Sequence, residues 1–306
     1  MKSQNIFVIL LTTVSILFQL SASAQADSSQ AKKSYFKVQT SYLSNSVYSG
    51  RKDSETVSYL TPSIGYFHKS GFYVDGQMSF LSNSTDAGRI DEIVIETGYD
   101  FSINDLFDAG FYAGKYFYSN SSFAVTSDIK ADLGTYFTFN TNVVNIGGGA
   151  DLLVSTNNDL NINGNIAHAF NFSVKKADMA FSPTAEINAG TQSFYRAYYE
   201  NRKFAFTTHG SNGQGRGHNK KTGTTTTTTT DTSSFQTVTF PEQNHFSILD
   251  YEFSIPMTYD AKKWGVFLTP VVAVPLNPAT YAINGILQKE KLSTSFFVKA
   301  GVYFKF

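Results

Sequence analysis

From about Tyr35 to Phe306 the chain alternates apolar and polar residues with a period of two, in about twelve separate runs. The last run is the clearest. Phe296, Val298, Ala300, Val302, Phe304 and Phe306 fall on one face, and Ser295, Lys299, Gly301, Tyr303 and Lys305 on the other, with Phe297 the exception. Over 143–155, Val144, Ile146, Ala150, Leu152 and Val154 oppose Asn145, Gly147, Gly149 and Asp151. Over 158–172, Leu160, Ile162, Ile166, Phe170 and Phe172 alternate with Asn161, Asn163, Asn165 and Asn171. The run 90–101 sets Ile93, Ile95, Tyr99 and Phe101 against Glu92, Glu96 and Asp100, and 123–139 sets Val125, Ile129, Leu133 and Phe137 against Asp128, Lys130 and Asp132. Two more strong runs are 72–81, with Asp75 on its polar face, and 246–257, with Asp250 and Glu252 on its polar face. Weaker ones cover 34–44, 55–67, 108–118, 181–197 and 263–275. An amphipathic helix would repeat its apolar residues at three and four, and none of the strong runs does. Strands are predicted throughout.

Charge placement says what the two faces meet. In the strong runs every Asp, Glu and Lys except Asp91 lies on the polar face. A Lys or Arg facing lipid at the bilayer midplane costs about 2–4 kcal/mol, so a lipid-facing wall explains the segregation. Aromatics gather at run ends, as Tyr99, Phe101, Phe170, Phe172, Phe304 and Phe306 do, where interfacial girdles sit. Connections near 68–71, 103–107, 140–142, 173–180 and 258–263 are short; the other side carries 45–54, 82–89, 119–122, 155–158, 198–243 and 276–292, which include the three longest. That asymmetry fits a transmembrane antiparallel up-and-down β-barrel over 34–306, all-β, with short periplasmic turns, longer extracellular loops and both termini periplasmic.

The start of the chain indicates how it reaches a membrane. Lys2 is followed by a mostly apolar stretch, Ile6 to Leu20, and then by Ala22-Ser23-Ala24. This reads as a secretory signal peptide over 1–24, cleaved after Ala24, with 25–33 a short periplasmic segment. The apolar run falls short of the roughly 20 residues of a spanning helix. The chain has no Cys, hence neither a disulfide nor a lipid-modified terminal Cys. Phe (28) and Tyr (18) supply nearly all of the 15% aromatic content, while charged residues are 16%, against about 25% in a soluble domain. Without Lys2 the chain has 23 basic and 24 acidic residues, a balance that points to no nucleic-acid partner.

The ending Ala300-Gly301-Val302-Tyr303-Phe304-Lys305-Phe306, together with the signal peptide and the alternating runs, resembles the Gram-negative outer-membrane β-barrel proteins. The resemblance implies location in that membrane, among its lipids. It also implies delivery by the barrel-assembly machinery, with Val302, Phe304 and Phe306 as the signal read. It does not choose among pores, enzymes, adhesins and assembly factors.

Candidate chemistry lies on the polar face. Asp75, Glu92, Glu96, Asp100, Asp128, Asp132, Asp151, Glu186, Asp250 and Glu252 outnumber Lys37, Lys115, Lys130, Lys299 and Lys305. Such a lining suits a narrow passive channel for small polar solutes or cations, and equally a closed lumen in which the charges pair. Eight strands are filled by side chains and 16–18 leave a channel; twelve lies between. A lipid-acting enzyme needs a His beside a nucleophile, and His168, on the apolar face with Ile166 and Phe170, is the candidate. No Gly-x-Ser-x-Gly motif accompanies it. The stretch 207–234 is Gly- and Thr-rich without an apolar residue apart from its Gly, including seven consecutive Thr. It reads as a solvated surface loop open to glycosylation or adhesion. Its His209 and His218 lack a third metal ligand, and no cofactor is implied.

Overall fold

A computed structural model describes residues 33–53, 56–82, 86–141, 143–174, 177–194, 238–239, 245–283 and 286–306. Twelve antiparallel strands form its wall. The first seven are β1 Tyr35–Leu43, β2 Tyr59–Phe67, β3 Phe72–Leu81, β4 Ile90–Asn104, β5 Phe107–Tyr118, β6 Ala131–Asn140 and β7 Asn145–Val154. The next three are interrupted: β8 is Asp159–Ala167 with Phe170–Val174, β9 is Ala177–Phe181 with Thr184–Gly190, and β10 is Ser247–Ser254 with Met257–Asp260. Trp264–Pro275 (β11) and Ser295–Lys305 (β12) complete the set. Each strand pairs with the next, and β12 returns to β1 with Lys37 opposite Lys305 and Leu43 opposite Lys299. The terminal residue seals the seam: Phe36 N donates to Phe306 O at 3.1 Å and Phe306 N to Phe36 O at 2.9 Å. A ring leaves no strand edge unpaired, which a sheet in lipid requires.

Alternation along the strands sorts residues to two surfaces. Outside, Phe36, Ile64, Ile95, Phe111, Phe253 and Phe296 are each more than half exposed. An apolar patch of this extent is a liability in water and the normal outer wall of a membrane barrel. Aromatic pairs mark its short-turn end: Phe36 with Tyr66 at 4.9 Å, Tyr99 with Phe111 at 5.8 Å, and Tyr259 with Trp264 at 5.5 Å. The turns at 68–71, 105–106, 141–144 and 261–263 lie at that end, together with Tyr35 and Phe306, and the long connections lie at the other with the four-residue turn 155–158.

Two expectations need correction. The run 123–139 is not one strand, because β6 begins at Ala131. Val125 and Ile129 are 1% and 2% exposed and pack inside the long-loop mouth. Asp128 therefore belongs to that connection and not to the wall of the lumen, and its carboxylate accepts from Thr156 N and Oγ1; Lys130 stands at the rim, with its backbone bonded to Tyr116 N and Val154 O. Lys115 is the second. It alternates with the inward Gly114 and Tyr116 and stands with Phe111 and Phe117 on the outer face. Its ammonium lies 5.7 Å from the Phe117 ring near the long-loop end of β5, where a lipid-facing Lys costs only about 0–1 kcal/mol. The segments 1–24 and 25–32, and nearly all of 198–243 with His209 and His218, lie outside the described residues.

Candidate functional site in the barrel lumen

Inward glycines create the space in which the lumen is organised. Gly98 sits opposite Tyr73 and Gly110 opposite Tyr136. A methyl group on either would stand 2.7 Å and 2.6 Å from those rings, so each Tyr lies over its glycine, along the wall. From there its hydroxyl reaches a carboxylate. Tyr73 donates to Glu96 at 2.7 Å, Tyr136 to Asp100 at 2.6 Å, Tyr112 to Asp151 at 2.7 Å and Tyr116 to Asp132 at 3.1 Å. Neutral donors thus hold the acids, and a charged donor is not required to anchor them.

Exposure to water changes along the axis. Toward the short turns Asp100, Asp108, Tyr136, Asn165, Glu186 and Lys37 stay partly exposed. In mid-wall Glu96 and Asp75 are 8% and 5% exposed, and Asp132, Asp151 and Asp250 are at 0%. Beyond them the inward positions turn apolar and buried, as Val94, Leu153 and Phe297 show. The long connections fold onto these. Tyr48, Val125, Ile129 and Phe194 form one cluster with Val94, Tyr116 and Leu153, while Val47 packs with Val271, Ala273 and Phe297. The lumen is wet at the short-turn end and packed at the long-loop end.

Two buried charged side chains fix that packing. Arg51 lies in a short hairpin formed by Val47–Tyr48 and Arg51–Lys52 and is 1% exposed. It donates to the carbonyls of Ser49 (2.9 Å), Leu249 (2.7 Å), Leu276 (2.9 Å) and Asn277 (3.0 Å), with Glu290 at 3.8 Å. Asp91, at 0% exposure, accepts from Tyr59 OH (2.5 Å), Ser119 Oγ (3.1 Å), Ser122 Oγ (2.8 Å), Phe123 N (3.1 Å) and Arg89 (3.0 Å). It ties the 119–130 connection to β4.

No protein family and no curated relative matches the chain by sequence. Among solved structures, the overlay with "KdgM porin" has a TM-score of 0.40 at 10% identity, covering 88% of this chain and 99% of that one. A NanC porin structure gives 0.43 at 12% identity over 89% and 100%. LpxR from Salmonella typhimurium gives 0.44 at 8% identity over 88% and 100%. The closed ring and its apolar outer belt decide the class by themselves. The chain is a membrane-spanning β-barrel.

The barrel brings most of the sequence candidates to one surface. Asp75, Glu92, Glu96, Asp100, Asp132, Asp151, Glu186, Asp250, Glu252 and Lys299 occupy inward positions of its strands. Glu186 and Glu252 are directly opposite each other, and Asn188 is opposite Asp250. Basic residues collect at the seam, where Lys305 bonds Asp260 at 2.7 Å. Val302 and Phe304 face outward and Phe306 closes the ring. His168 stands apart on the outer wall, with Nδ1 against the Val143 carbonyl and its ring edge-on to Phe170 at 4.3 Å. Among the described residues no group of three His, Cys, Asp or Glu is placed to hold a metal ion.

Sequence reasoning missed Arg51, Asp91 and the tyrosine partners. Asp91 stands next to Glu92 in a run that otherwise alternates. That doubled acid marks the irregularity where β3 and β4 shift register between Ser79 and Phe80. Arg51 carries no periodic signal, being in a loop.

Proposed function

We propose that this barrel is a narrow, cation-preferring passage for small polar solutes, with its long-loop mouth shut by its own loops in the conformation described. One observation carries the reading. On the adjacent strands β3 to β10, the inward charged side chains are all acidic among the described residues, from Asp75 through Glu96, Asp100, Asp132, Asp151 and Glu186 to Glu252. Acidic rings in a confined, poorly screened space favour cations over anions. The basic side chains of the wall, Lys37, Lys299 and Lys305, lie on β1 and β12, so they oppose the acids and leave the excess negative.

The reading includes export by cleavage after Ala24, insertion by the barrel-assembly machinery, and a wet vestibule open to the periplasm beside both termini. Its competitor is a permanently shut barrel acting as a structural or adhesive element, which the dry long-loop half favours. Ion selectivity separates the two. In a planar bilayer under a KCl gradient, the refolded protein is expected to give a reversal potential of cation sign. Asp100→Asn with Glu186→Gln, both water-facing, should lower the cation-to-anion permeability ratio by roughly two-fold or more. Anion selectivity, or a ratio unmoved by the double variant, contradicts the proposal.

A further inference from the structure

The interruption in three neighbouring strands leaves a feature on the outside of the barrel that conduction does not use. A hollow of about 610 Å³ opens there. The outward side chains around it are Ile166, Ala185, Phe253, Pro270, Val272 and Phe296, with the His168 ring at its border. Ala185 lies between larger neighbours, opposite Ile166 on β8 and Phe253 on β10. Its missing bulk creates the depression. The hydroxyl-bearing residues of the lining, Thr184 and Ser254, alternate with outward Ala185 and Phe253 and are turned inward, and Thr184 Oγ1 is bonded to Ser182 O at 2.9 Å.

The backbone of the hollow is fitted to hydrocarbon. A break in a ladder exposes N–H groups, which lipid does not satisfy. Here Pro183, Pro256 and Pro270 carry none, one on each of β9 to β11. Three neighbouring donors are used: His168 N bonds Pro183 O (3.2 Å), Ser182 N bonds Pro256 O (2.8 Å) and Ile255 N bonds Pro270 O (3.2 Å). His168 Nδ1, facing the Val143 carbonyl, is the donor of that bond, which holds the ring at the border. The hollow is continuous with the exposed apolar belt, whose solvent is the membrane.

We infer that the hollow between β8 and β12 is a binding site for one acyl chain of a membrane phospholipid. Water finds almost no polar surface in it, and the apolar belt around it faces lipid chains, so a chain enters without crossing a polar surface. The site is independent of whether the lumen conducts.

Native mass spectrometry of the refolded barrel in micelles doped with palmitoyl-oleoyl-phosphatidylethanolamine tests this. The expected spectrum has one lipid retained per barrel. Ala185→Phe, which fills the depression, should reduce the retained fraction at least five-fold, whereas Ala189→Phe, on the outward face of the same strand but outside the hollow, should not. Should Ala185→Phe fail to fold, Phe253→Ala, which removes one wall, should also lower retention. Excess palmitate, which offers the same acyl chain, should displace the retained lipid. Retention unchanged in both hollow variants, equal loss in Ala189→Phe, no displacement by palmitate, or no retained lipid in the wild type would each overturn the assignment.

Discussion

A guanidinium held at 1% exposure needs acceptors for its donors, and Arg51 finds them on four backbone carbonyls from three separate parts of the chain. Those carbonyls belong to the hairpin itself, to β10 and to the connection after β11, so one side chain links three elements of the mouth. Bonds to a charged donor contribute roughly 1.5–3 kcal/mol each at most, and losing the donor leaves buried acceptors unmet. Arg51→Ala is therefore expected to undock the hairpin at a cost of about 3 kcal/mol. In the folded barrel, chymotrypsin cleavage beside Tyr48 should accelerate by roughly two orders of magnitude, the equivalent of that cost. An unchanged cleavage rate would mean that the apolar contacts of Val47 and Tyr48 hold the hairpin without it. The glycine–tyrosine pairs make a second prediction at this scale. Gly110→Val collides with the Tyr136 ring and displaces its hydroxyl from Asp100. Overpacking of this kind costs about 1–3 kcal/mol, read as a lower temperature for conversion of the folded gel band. Adding Tyr136→Ala should recover part of that loss, since the two sites are in contact.

Strands were legible to the degree that one face meets lipid along their whole length. β12 is the extreme case, with outward Phe296, Val298, Ala300, Val302 and Phe304 uninterrupted. The 123–130 stretch was misread because Val125 and Ile129 continue the spacing of Leu133 and Phe137, although they are buried under the mouth. Period two records that a residue is apolar, not whether lipid or protein covers it. Lys115 deceived for a related reason: near a membrane interface a long amine reaches water from the outer face, so charge there does not report orientation. The tyrosine–carboxylate bonds were invisible because each joins strands whose register is set by the turns. Asp100 and Tyr136, for example, are bonded across 36 positions of sequence. Phe306 carries the test at this scale. Its backbone bonds to Phe36 persist in Phe306→Ala, and its side chain is 77% exposed. Stability after refolding in detergent should change by no more than about 0.5 kcal/mol, while insertion in cells should fall several-fold if that side chain is the assembly signal. Equal loss in both assays would assign Phe306 a purely structural part.

For the whole molecule, the ring, the belt and the lumen have separate consequences. Ring closure removes sheet edges, the belt commits the outer wall to lipid, and the acid-rich lumen is wet at one end and packed at the other. The packed end is where the proposed passage and the shut barrel diverge, since ions must pass the cluster around Tyr48, Phe194 and Leu153. The most direct test is single-channel recording of the wild type beside a variant in which 46–53, the hairpin bearing Arg51, is replaced by a short Gly-Ser linker. The wild type is expected to give small, infrequent current steps. The variant is expected to give long-lived, cation-selective steps. A variant that folds and inserts yet stays silent would contradict it, because the lumen itself would then be closed.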